Sequence, residues 1–117
     1  MEFEQLPEDC KQALGDIQRI LDSAKKLDVI VAIAPDLIGR SNIPDPRTAF
    51  GLMKLLWAIG KPGWDARHRG AKVKAALVDR IVINRISQII DLQLLQHDNN
   101  PELRTYWKGM QDVFGAN

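Results

Sequence analysis

At 117 residues the chain has the length of one domain, 1–117, and can bury a core without metals or disulfides. Apolar residues make up 45% and charged residues 26%, ordinary for a globular protein, and a net charge of +1 excludes an overall electrostatic pull toward nucleic acid or anionic membrane. The single cysteine, Cys10, excludes an internal disulfide and fits a reducing compartment.

The N-terminus, MEFEQLPEDC, is acidic and has no apolar stretch of the kind a secretory or mitochondrial signal carries. The longest unbroken apolar run, 29–34, is six residues, against roughly 20 for a membrane span. The expectation is a cytoplasmic protein with no membrane partner.

Residues 1–6 read as a short acidic lead. Pro7 suits a first helical position, and Glu8 and Asp9 suit the positive end of a helix dipole. From there Leu14, Ile17, Ile20, Leu21, Ala24 and Leu27 recur at three and four residues, a helical stripe, while Asp16, Arg19, Asp22 and Lys26 fall off it. The β-branched run from Val29 to Ile33 suits a strand by propensity, but no partner strand is visible to satisfy its backbone. A helix is therefore expected, continuing from the first or restarting at Asp28, disturbed at Pro35 and stopped at Gly39.

Asp45-Pro46 is a start signal, a capping Asp followed by Pro at the first helical position. Phe50, Met53, Leu56, Trp57 and Ile59 follow on one side, and Gly60 with Pro62 ends the helix. After a loop, KPGWDARHRG, comes the longest helical pattern, residues 71–96, free of Gly and Pro. Wound as a helix it is about 39 Å long. Its only polar stripe is Arg80, Asn84, Ser87 and Asp91; Asp79, Arg85 and Gln93 interrupt an otherwise apolar circumference. So broad an apolar band predicts a central pillar with neighbours on several sides. Asn100-Pro101-Glu102 repeats the cap-then-Pro signal, and Leu103, Tyr106, Trp107, Met110, Val113 and Phe114 form the last stripe, stopped by Gly115. The fold class expected is all-α: a compact bundle of four to five helices around a long central helix at about 71–96.

Three constellations bear on function. The first is basic: Lys61, Arg67, His68, Arg69, Lys72 and Lys74 surround Trp64, with only Asp65 opposing. Such a segment is a candidate nucleic-acid or anion contact, with cations for phosphates and an indole to stack on a base. A solvated loop whose Trp64 folds onto the core is the favoured alternative. No helix-turn-helix, zinc finger or RNA-binding sheet accompanies it. The second is Arg85, flanked at four residues by Ile81 and Ile89. It is expected to pair with a carboxylate of the first helix or to extend its head to solvent, or else to mark an interface or anion pocket. The third is aromatic: Tyr106 and Trp107 are adjacent and point about 100° apart on a helix, so one of them is expected at a surface. Arg85, Tyr106 and Trp107 are thus candidate interface residues, whereas Trp57 and Phe114 read as core.

No catalytic, cofactor-binding or metal-binding set is read from the chain. His68 and His97 lie at opposite ends of the predicted pillar, and neither an HExxH nor a cysteine pair exists. Cys10 has no histidine near it in sequence, and catalysis through it is the least favoured reading. The function expected is a non-enzymatic interaction or assembly module, a small subunit or adaptor of a larger complex or a homodimer, with no cofactor. The alternative is a nucleic-acid-binding helical protein using residues 61–74. A weaker one is a small-molecule binder or enzyme with a pocket between helices.

Overall fold

The computed structural model describes residues 1–33, 43–61 and 79–115. Among the described residues every regular element is helical: a 3-10 turn at Phe3–Gln5, then α1 (Glu8–Ser23), α2 (Leu27–Ile33), α3 (Ala49–Ile59), α4 (Arg80–Gln96) and α5 (Pro101–Phe114). The protein is an all-α bundle. Helices α1 and α5 each pack on both α3 and α4, so the four long helices close a ring around one core.

The acidic lead is part of that core. Phe3 and Leu6, three residues apart on the 3-10 turn, are both buried. Helix α1 buries Leu14, Ile17 and Leu21 of the expected stripe, together with Cys10 and Ala13, and leaves Asp22 to solvent. It ends in a Schellman motif. Lys25 takes a left-handed backbone, φ 58°; its N–H donates to Asp22 O at 3.0 Å, and the Lys26 N–H donates to Leu21 O at 2.8 Å. A side chain in that conformation costs roughly 1–2 kcal/mol, offset by two carbonyls that would otherwise go unpaired. The chain then restarts as α2, so the β-branched run is helical and separate from α1. Ile30 is fully buried. Pro35 and Gly39 lie outside the described residues.

Helix α3 starts later than Asp45-Pro46 suggests. Asp45 instead organises a turn: its side chain accepts from the Arg47 N–H at 3.0 Å, and its carbonyl accepts from the Thr48 N–H at 3.0 Å. Thr48 takes over as N-cap, its hydroxyl oxygen accepting from the Gly51 N–H at 3.0 Å. The turn folds back over the first helical turn so closely that a Cβ at Gly51 would collide with Asp45 O. Leu52, Leu55, Leu56, Trp57 and Ile59 are buried. Phe50, expected on the same side, is 51% exposed and meets the edge of Phe3 at 5.7 Å between ring centres.

The predicted pillar is the largest correction. Asp79 is not inside a helix: its backbone is extended, and its carboxylate caps α4, accepting from Ile81 N–H at 3.0 Å and Val82 N–H at 3.4 Å. The described helix therefore begins at Arg80, and residues 71–78 lie outside the description. Nor, among the described residues, is α4 wrapped on all sides. Val82, Ile86, Ile90 and Gln93 form one buried line toward α1 and α5, whereas Ile81, Leu92 and Leu95 are 72%, 60% and 77% exposed. Helix α5 follows its prediction closely. Asn100 caps it, accepting from Leu103 N–H at 3.2 Å, Pro101 opens it, and all six stripe residues are buried.

Candidate functional site

The most unusual chemistry sits where the start of α1 meets the end of α4. The two helices run antiparallel, because α4 leaves its last turn beside the first turn of α1, while Arg85 and Ile89 of α4 share a groove with Asp16, Ile20 and Ser23 further along α1. That pairing brings Asp9 and Cys10 of α1 to Gln93 and His97 of α4.

Asp9 Oδ2 lies 2.6 Å from His97 Nε2. An ionised carboxylate only accepts, so this nitrogen carries the proton and donates it. Cys10 is fully buried; its Sγ lies 3.2 Å from Gln93 Oε1 and 3.5 Å from the same His97 Nε2. Since Nε2 is a donor, the thiol proton goes to the Gln93 amide oxygen. Burial pushes the Cys10 thiol up to about 11; the Trp107 indole, beside it, opposes that rise, and the Asp9 charge adds to it. The Trp107 N–H is itself buried and makes no full hydrogen bond.

These geometries argue against a nucleophilic cysteine. A cysteine–histidine pair needs one imidazole nitrogen free to take the thiol proton while the other is held by an orienting group. Here one nitrogen meets both partners, and the thiol is the protonated form. Among the described residues, however, Asp9, Cys10 and His97 are a group whose ligand atoms all lie within 4.8 Å of one another, the arrangement of a metal-ligand set.

Nothing in local sequence joins these residues, which lie 83 to 88 positions apart across the pairs. One signal existed: Gln93 interrupts an apolar band, and a buried amide demands a partner. Its oxygen accepts from Cys10, and its nitrogen donates to Gln96 Oε1 at 3.3 Å.

Of the basic constellation, Trp64, Arg67, His68, Arg69, Lys72 and Lys74 lie outside the described residues. Lys61 places its ammonium 5.1 Å from the centre of the Trp57 ring. It borders an open cleft of about 590 Å³ with Trp57, Pro101, Glu102 and Tyr106. Arg85 is exposed, not held within an apolar band, and borders the groove that Asp16 also lines.

Tyr106 and Trp107 are both buried, so neither stands at the surface of this chain. As adjacent helical residues they leave α5 in different directions, their rings meeting edge-on at 5.0 Å between centres, and α5 is covered on two sides. Tyr106 turns toward α3, its ring tilted against Trp57 at 4.2 Å between ring centres and its hydroxyl donating to Leu56 O at 2.8 Å. Trp107 turns toward Cys10.

None of the described helices is long and apolar enough to cross a membrane. No protein-family model, characterised protein or solved structure matches the chain.

Proposed function

We propose that the protein is a non-enzymatic helical module that assembles with a second copy of itself through the outer face of α4. The observation that carries this reading is the exposure of Ile81, Leu92 and Leu95. With Arg85 and Gln88 they form a line, 81-85-88-92-95, spaced four and three residues apart. That is the spacing of a seam between two helices.

The line also suits a two-fold partner. Ile81 and Leu95 each lie seven residues from Gln88, and Arg85 and Asp91 each lie three from it. A second α4 crossing antiparallel at Gln88 would set Ile81 against Leu95 and Arg85 against Asp91, in both directions, as a self-complementary interface requires. Opposite charges meeting there favour this register over the parallel one, where Arg85 would face Arg85.

Sedimentation of the full chain at micromolar concentration tests the reading. The wild type is expected to sediment as a dimer, and Leu92→Glu with Leu95→Glu as a folded monomer. A wild-type monomer throughout, or a dimer indifferent to both substitutions, overturns it.

A further inference from the structure

We propose that Asp9, Cys10 and His97 form a binding site for one zinc-class divalent metal ion, joining the start of α1 to the end of α4.

The ligand chemistry selects the ion. A thiolate, an imidazole and a carboxylate together suit a borderline-soft metal and are poorly matched to Mg²⁺ or Ca²⁺, which take oxygen donors. With Cys10 as thiolate and Asp9 ionised, two negative ligands cancel a divalent charge and His97 binds as neutral imidazole. The centre is then uncharged, which suits a half-buried position.

The sulfur-to-nitrogen spacing fits as well. Zinc–sulfur and zinc–nitrogen bonds of standard length at a tetrahedral angle put the two ligand atoms about 3.5 Å apart, and Cys10 Sγ to His97 Nε2 is 3.5 Å. Asp9 Oδ2, at 2.6 Å from Nε2, is at hydrogen-bond distance. It must withdraw to roughly 3.3 Å to share a tetrahedral metal. Asp9 can do so, because its side chain is 40% exposed, and that side is also the route by which an ion enters. Three protein ligands leave a fourth position for water.

An independent observation points to the same place. The Trp107 N–H is buried beside Cys10 and makes no full hydrogen bond. A neutral thiol is a poor acceptor, whereas a metal-bound thiolate is a strong one. An N–H held against the sulfur is the kind of outer support that metal-thiolate centres use. The proton balance closes: the Cys10 thiol gives one proton to solvent, and the Nε2 proton of His97 is exchanged through water for one on Nδ1, freeing Nε2 for the metal. This site is separate from the outer face of α4, and its test does not depend on the state of assembly.

Cobalt(II) is the probe, titrated into the full chain after chelator treatment. The expected result is a thiolate-to-cobalt charge-transfer band that saturates at one equivalent and is bleached by Zn²⁺. Cys10→Ser should abolish the band. His97→Gln keeps a group that can hydrogen-bond Asp9, and should weaken cobalt binding by about tenfold or more. Asp9→Asn supplies the same comparison should His97→Gln lose its helical circular dichroism. A folded wild type with no such band overturns the proposal. So does a band of equal intensity and affinity in both His97→Gln and Asp9→Asn.

Discussion

Helices α4 and α5 are neighbours joined by a four-residue turn, and both promise a broad apolar surface, yet they meet opposite fates. The 14 residues of α5 bury all six of their large apolar side chains. The 17 residues of α4 bury only Val82, Ile86 and Ile90 of theirs, with Gln93 beside them, and leave three exposed. Helix α5 lies between α3 and α4 and is closed on two sides; α4 presents one face to α1 and α5 and turns the other outward. Apolar content alone does not place a helix at the centre. Neighbours do, and an apolar face without one is a surface awaiting contact.

The sharpest contrast is between Trp107 and Leu95. Trp107→Ala should cost about 3–5 kcal/mol, because it empties a fully buried volume that α5 cannot collapse to fill. Urea unfolding measures it, and a loss under about 1 kcal/mol would mean that α5 is less tightly held than described. Gly109→Ala should cost about 1–3 kcal/mol. Its added methyl would collide with Gly60 O, while a Cβ at Gly60 itself would stand 2.5 Å from the Tyr106 ring. The two glycines thus set how closely α5 approaches the end of α3. A thermal midpoint unchanged by Gly109→Ala would show that approach to be looser.

Tyr106→Phe should cost about 1–2 kcal/mol. Leu56 lies in the last turn of α3, whose carbonyls lack partners within the helix, and the Tyr106 hydroxyl supplies one. Loss of that bond is expected to appear as faster amide exchange at the end of α3 before it appears as global unfolding. Smallest of all, Leu95→Ala should change monomer stability by less than about 0.5 kcal/mol, measured at concentrations too low for association. A larger loss in the monomer would mean that the outer face of α4 is covered within one chain.

Much of the fold is legible in the residues. Asn100-Pro101 states where α5 begins, and the spacing of its stripe states which side is buried, because both are set by contacts within one or two helical turns. The start of α3 was less legible. Asp45-Pro46 and Thr48 are competing caps three residues apart, and the choice of Thr48 follows from Asp45 closing its own turn. Asp79 and Gln93 looked alike as polar breaks in an apolar run. One turned out to be a cap and the other a buried amide paired with the only thiol. Their difference is tertiary: the Gln93 amide nitrogen donates to Gln96 within α4, but only the approach of α1 brings the Cys10 thiol to its oxygen.

By itself, then, the sequence determined that this chain is helical, where its last helix is capped, and which stripes of α1 and α5 turn inward. Helical periodicity and capping are local, acting over a few residues, and need no knowledge of what lies across the core. Only the tertiary structure decided that, among the described residues, α4 keeps one face uncovered, that Tyr106 and Trp107 are both enclosed, and that Asp9, Cys10, Gln93 and His97 meet. Those outcomes depend on which helices run antiparallel and at what register, and two side chains separated by most of the chain acquire a shared chemistry only once the helices carrying them have packed.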